Sequence, residues 1–397
     1  MRRRHPSRAQ LTARHLAAAR DRAFRRHPAL RVRNATAALR FVEAVGFCST
    51  FYCFREGVAC LWEAVVGRAR PRWPKHSHHD PGVGLTWQLK DDLPAARRVY
   101  YGKVMKGHPL LVALDLFPAF YALSRGRQRA RDYVIEYEAG RLSHTARRLM
   151  DALVREHPQY TRELRGNAFM LESSKTRDFE RAMAELQQGL WVVKTEERYE
   201  RTFSYRWDLV EAWLPDAVSA GRRLSRGAAL ERLVRRYLGA AVYTRSRLLA
   251  QLFGVPLVEI AVATGRLARR GAIVETDVDG WSGHWLVDAT VAARLLYLRG
   301  SLASGENRMR RVLMLVTVVL LAQAVNGQSP RIAPGPAAVQ LDRHIDAHIE
   351  PREGAPTSPG ERPLRATPPA FGTTTSDATP PAIRLYRDRD PLYRDWR

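Results

Sequence analysis

The chain of 397 residues carries 65 Lys and Arg against 40 Asp and Glu, a net charge of +25, with 45% hydrophobic and 26% charged residues. That length holds two or three domains with a full core, which excludes a disulfide-stapled mini-protein, and the balance describes a soluble, basic, globular chain. The charge favours a polyanionic partner. It is unevenly placed: residues 329–397 hold ten Arg against nine acids, leaving +24 on the preceding 328 residues. All but six of the cations are Arg. Cys48, Cys53 and Cys60 fall within thirteen residues, are odd in number and lack C-x2-C spacing, so they read as reduced thiols of a cytoplasmic protein rather than a zinc site.

Residues 1–33 are rich in Arg, with Leu and Ala at helical spacing and no apolar run, and predict a basic helix, not a signal peptide. Residues 34–140 mix an aromatic stretch, Phe41 to Trp62, with a Pro- and His-rich loop, Pro71 to Pro81, and a strand from Pro109 to Leu116. They predict a winged-helix-like domain. Asp91-Asp92 before Leu93-Pro94 reads as a turn or cap. In residues 141–220 the pattern becomes regular. Ser143 caps a helix whose apolar positions Ala146, Leu149, Met150, Leu153 and Val154 repeat at three and four, ending before Pro158. Thr161 caps a short second helix. A third, Ser174 to Gln188, gathers Phe179, Ala182, Met183 and Leu186 on one face and Arg177, Arg181 and Gln188 on the other. After Gly189 the period becomes two, and Trp191 to Lys194 with Thr202 to Trp207 predict a hairpin. Three helices and a hairpin form the winged helix-turn-helix order.

Residues 221–300 repeat it. Ala229 to Leu238 is one helix, Thr244 caps a second ending at Gly254, and a third runs from Val255-Pro256 to Arg270, before a hairpin over Ala272–Glu275 and Trp281–Val287. Residues 309–328 are a signal-like apolar segment, and its run of fourteen residues, Val312 to Val325, covers only about 21 Å of helix, too short to span a bilayer. Residues 329–397 hold twelve of the 23 prolines and predict a disordered tail. From Met309 onward the sequence reads like the start of an exported protein joined to a different fold.

A helix fits the major groove, so Arg177, Arg181 and Gln188 would reach phosphates or base edges, with Lys194 and Arg198 gripping backbone from the wing. His76-Ser77-His78-His79-Asp80 is the densest cluster of ligating side chains. Bounded by Pro74 and Pro81, it reads as a loop whose imidazoles bond backbone or phosphate. His76, His78 and Asp80 offer a metal site, and His78 or His79 a proton-transfer group. No glycine-rich phosphate loop, Gly-Lys-Ser/Thr or G-x-S-x-G elbow occurs.

Ala38 to Val42 and on to Cys60-Leu61-Trp62, the His-rich loop, Tyr205 to Leu209 with Leu214-Pro215, and Leu233 to Leu238 resemble the AlkZ-type DNA glycosylases, most of all the AlkZ-related branch, over residues 30–290. The resemblance implies tandem winged helices around a DNA channel and excision of alkylated or crosslinked bases without metal or cofactor. It also implies a Gln-x-Gln or Gln-x-Asp motif after the first winged helix. The comparable stretch here, Val45 to Phe51, holds no Gln. Ser49, His78 and His79 stand as catalytic candidates, in a pocket lined by Phe47, Cys48, Phe51 and the His76–His79 loop.

The expectation is an α+β protein of tandem winged helix-turn-helix domains with a disordered proline-rich tail. It would act in the cytoplasm as a monomer on double-stranded DNA, with no cofactor, metal or membrane. Two alternatives remain: a non-catalytic regulatory or damage-sensing DNA-binding protein, and a metal-dependent hydrolase built on His76, His78 and Asp80.

Overall fold

The computed structural model describes residues 11–51, 54, 56–198 and 204–303. Cys53, the signal-like segment and the proline-rich tail lie outside the described residues, as does the His78 side chain.

Helix α1 (Ala13–Ala23) precedes three units with the same element order: helix, short strand, two helices, hairpin. The first holds α2 (Ala35–Val45), β1 (Phe47–Ser49), β2 (Ala59–Cys60), α3 (Leu61–Val66), α4 (Pro81–Ala95), β3 (Val99–Met105) and β4 (His108–Ala113). After α5 (Phe117–Ser124) and α6 (Tyr133–Glu138) the second holds α7 (His144–Arg155), β5 (Gln159–Tyr160), α8 (Thr161–Asn167), α9 (Thr176–Gln188), β6 (Val192–Arg198) and β7 (Ser204–Leu209). Two connecting helices, α10 (Val210–Trp213) and α11 (Pro215–Arg223), lead to the third, with α12 (Arg226–Ala241), β8 (Tyr243–Thr244), α13 (Ser246–Phe253), α14 (Leu257–Arg269), β9 (Ile273–Thr276), β10 (Trp285–Asp288) and then α15 (Ala289–Ala303). In each sheet the last strand of the hairpin lies in the middle: β5-β7-β6, β8-β10-β9, and β1-β4-β3 with β2 added parallel to β1. The chain is thus a mixed helix and sheet protein whose element order recurs three times.

The second unit has its own core. Leu149, Met150 and Leu153 of α7 meet Phe179, Met183 and Leu186 of α9 beneath Trp207, because apolar residues three and four apart fall on one helix face. The first and third units share another core, in which Phe41, Val42 and Phe47 pack with Leu233, Val234 and Tyr237. α1 is docked, not a free basic arm. Leu16 is buried, and Arg20 donates Nε to the Ala241 carbonyl at 2.6 Å and Nη2 to the Tyr243 carbonyl, its guanidinium lying 3.5 Å over the Tyr243 ring.

Ser143 caps α7 as expected, its hydroxyl accepting from the Ala146 amide at 3.2 Å. Three local expectations are corrected. Thr161 is no cap: its hydroxyl donates to the Tyr205 carbonyl and accepts from Trp207 Nε1, both at 3.1 Å, tying α8 to β7. Thr244 is buried inside β8, and Arg245 stands at the N-cap of α13. Asp91-Asp92 lies within α4, which runs through Pro94, with Leu89 and Leu93 buried on either side of the pair in one core.

Gly46 turns the chain from α2 into β1 at φ +81°, a left-handed conformation that favours glycine. A Cβ there would lie 2.3 Å from Arg236 Cγ and 2.8 Å from Leu116 Cδ2. Gly46→Ala is therefore expected to cost at least about 1–3 kcal/mol, read as a lower urea midpoint, and an unchanged midpoint would contradict the packing described.

Candidate nucleic-acid interface

α9 buries its apolar face and turns Arg177, Arg181 and Gln188 outward, all three exposed. The Arg181 guanidinium is 3.8 Å from Asp178, with both side chains more than half exposed. Solvent screens such a pair to almost nothing, so Arg181 stays available to a phosphate.

The wing differs from its sequence reading. Strict alternation would put Lys194 and Glu197 on opposite faces of β6, but a β-bulge between Lys194 and Glu196 adds a residue opposite Arg206. Lys194 then pairs with Trp207 and Glu197 with Tyr205, on one face. The Lys194 ammonium bonds Glu197, to which Lys90 of α4 also donates at 2.9 Å, and Lys90 in turn bonds Asp91. Lys90 and the Glu197 carboxylate are almost wholly buried. Burial, reinforced by the Lys90 charge, pushes the Lys194 ammonium well below the usual lysine range. Lys194 is therefore an interior group and not a phosphate grip, a correction whose cause is the bulge. Arg198 does face outward, 4.1 Å over the Tyr160 ring and bonded to its hydroxyl. Tyr160 donates to Glu196 at 3.1 Å, and Arg206, missed in the sequence, lies 3.6 Å from the same carboxylate.

The first unit corrects the expected pocket. Phe47, Cys48 and Ser49 are all buried, because β1 is flanked by β2 and β4. The Ser49 hydroxyl donates to the Ala59 carbonyl at 3.3 Å. Cys48 and Cys60 are free and buried, burial raising the Cys48 thiol well above its ordinary range. None of these residues reaches the surface. At the exit of β1, however, Phe51 joins three tryptophans from three other segments. Its ring centre is 6.0 Å from Trp62 of α3, 5.6 Å from Trp73 and 5.1 Å from Trp87 of α4, and Trp62 lies 5.1 Å from Trp73. Trp62 is buried, whereas Phe51, Trp73 and Trp87 are half-buried. Beyond aromatic content nothing in the sequence marks this cluster, since its four residues sit on different segments and meet only through tertiary packing.

The His-rich loop becomes a single turn, Ser77–His79, leading into α4. His76 and His79 are exposed, and Asp80 caps α4 by accepting from the Val83 amide at 2.8 Å. Among the described residues no three His, Cys, Asp or Glu side chains converge as a metal site, and the cap engages one oxygen of the Asp80 carboxylate. No single helix among them is long and apolar enough to cross a membrane.

Fold and surface together define a class: a mixed α/β protein of three like units, with an arginine-bearing helix face and an aromatic cluster between the strand and helices of its first unit. A family model described as AlkZ related matches residues 32–254, more than half of the chain, and the chain belongs to that family. Among solved structures it is similar to Streptomyces sahachiroi DNA glycosylase AlkZ, at 13% identity over 72% of each chain with a TM-score of 0.48. No curated protein matches.

Proposed function

We propose that the protein binds duplex DNA in a repair role, with α9 against the duplex and an extruded base received by the Phe51–Trp62–Trp73–Trp87 cluster. The second and third units are read as winged helices and the first as winged-helix-like. α9 is the DNA-facing helix, because the outward face of α14 opens with exposed Leu257, Val258 and Val262 and carries arginines only in its last turn, at Arg266 and Arg269. Arg177, Arg181 and Gln188 contact the duplex, with Arg198 and Arg206 of the wing flanking them.

The observation that carries this reading is the aromatic cluster. Four rings from four segments meet with neighbouring centres 5.1–6.0 Å apart, three of them half-open to solvent. Every base has a π-face, and an enzyme acting on a base must first take it out of the stack. Membership in the AlkZ-related family supports the same reading.

For chemistry on that base we propose His79, with His78 beside it in the chain, because an imidazole both orients and deprotonates a water. Ser49 is left out, its hydroxyl being spent in the core. The test is alkaline cleavage of duplexes carrying N3- or N7-alkylated purines. Abasic sites are expected from the wild type and from Ser49→Ala, with a loss of about 10²-fold or more in His79→Ala or His78→Ala. Tight lesion binding without any abasic site would leave recognition of the extruded base in place and remove the excision step.

A further inference from the structure

The turn between α8 and α9 holds two large apolar side chains in solvent. Phe169 is 76% exposed, the most of any large apolar residue described, and Leu171 is 61% exposed. Ala168 and Met170, which alternate with them, are buried in the core of the second unit. Anchoring every second residue inside turns the other two outward.

The turn is locked in that state. Phe169 sits at φ +53°, a left-handed conformation that a bulky residue keeps only where its surroundings impose it. Three cations do so. Arg148 Nη2 donates to the Ala168 carbonyl at 2.5 Å, Lys175 Nζ to the Phe169 carbonyl at 3.3 Å, and Arg165 to the Met170 and Glu172 carbonyls, both at 2.8 Å. Arg165 Nη2 also reaches Thr176 Oγ1 at 3.3 Å, which ties the turn to the first residue of α9. Of the charged side chains bonded to this turn, the one acid is Glu172, paired with Lys175 at 2.9 Å. Three cations against one carboxylate leave the foot of the apolar pair positive.

We propose that Phe169, with Leu171 beside it, is a wedge that enters the base stack of a duplex opened at a mismatched or extruded base. A duplex matches both parts of the turn, with phosphates outside for the cations and apolar base faces inside for the two side chains. Inserting a side chain between base steps costs unstacking, and that cost is smallest where a mismatch or damage has already weakened the step. A side chain positioned by a locked turn gives up little freedom on entry. The inference rests on the function proposed above and adds the group that fills the stack once a base has left it.

The probe is a duplex with a central mismatch and 2-aminopurine as the neighbouring base, whose fluorescence rises when it unstacks, titrated with the full chain beside an intact duplex. The wild type is expected to raise the fluorescence on binding. Phe169→Gly should abolish the rise and weaken binding to the mismatched duplex roughly 5- to 150-fold, with a far smaller change on the intact one. Its Tm should stay level or increase, because glycine suits the left-handed backbone. Phe169→Trp should keep both the rise and the affinity. A rise and an affinity equal to the wild type in Phe169→Gly would overturn the wedge and leave the DNA reading standing, as would an equal loss on the two duplexes. A wild type that binds neither duplex would remove the DNA reading and the wedge with it. Self-association of the chain that Phe169→Gly disperses, with duplex binding untouched, would assign the turn to a contact between copies instead.

Discussion

Glu197→Ala should be among the most damaging single changes in the second unit, costing about 3–5 kcal/mol of stability. The carboxylate serves two ammonium groups, Lys90 and Lys194, in a place where both lysines and Glu197 itself are largely out of water. Asp91 bonds Lys90, so the four groups sum to neutral. Removing Glu197 leaves two buried cations sharing one remaining acid, and desolvation then goes uncompensated. Lys194→Met makes the contrasting case. It removes a cation whose proton is already loosely held, keeps most of the apolar stem, and leaves Lys90 its two acids, so a change under about 1.5 kcal/mol is expected. Urea midpoints of the two variants check this. Similar losses in both would mean that the pairing across the bulge does not govern the wing.

The second large effect concerns the base. Trp87→Ala and Trp73→Ala each remove a half-buried ring from the cluster around Phe51. Base–aromatic stacking contributes about 1–3 kcal/mol per base, so affinity for a duplex with a mismatched, easily extruded base should fall roughly 5- to 150-fold. Affinity for an intact duplex, held by its phosphates, should change far less. Fluorescence anisotropy on the two duplexes measures both numbers. An equal loss on both would assign the rings to packing alone.

What the sequence displays well is helix periodicity. α9 is expected from Ser174 to Gln188 and is found at Thr176–Gln188 after a single tight turn over Ser173–Lys175, because three buried turns of one helix leave an unmistakable spacing. The first unit is harder to see. Its strand β2 is two residues long, and its two helices after the strands are separated by a Pro- and His-rich loop, so a winged-helix-like order could be expected there but its strands and their pairing β1-β4-β3 could not. Lys194 and Glu197 were hidden for a different reason. Alternation fixes which face a residue takes only while the register is unbroken, and one extra residue opposite Arg206 reverses it. Ser49 was a candidate because it stands where the resembled family carries its glutamine motif, but a three-residue strand paired on both sides buries every position it has. The aromatic cluster depends on contacts between distant segments, and such contacts leave no local pattern.

The central claim is that the outward face of α9 holds the duplex. Each phosphate neutralised by an arginine releases about 0.9 of a counterion, so log K against log salt reports how many such contacts exist. Duplex affinity should be measured between 50 and 200 mM salt for the wild type and for a double variant, Arg177→Gln with Arg181→Gln. Both residues are exposed, so the fold should be unaffected. The double variant is expected to bind more weakly at every salt concentration, with a slope shallower by up to about 2. Weaker binding without a change of slope would place the lost energy somewhere other than phosphate contact, and an affinity and slope equal to the wild type would show that the DNA lies against another surface.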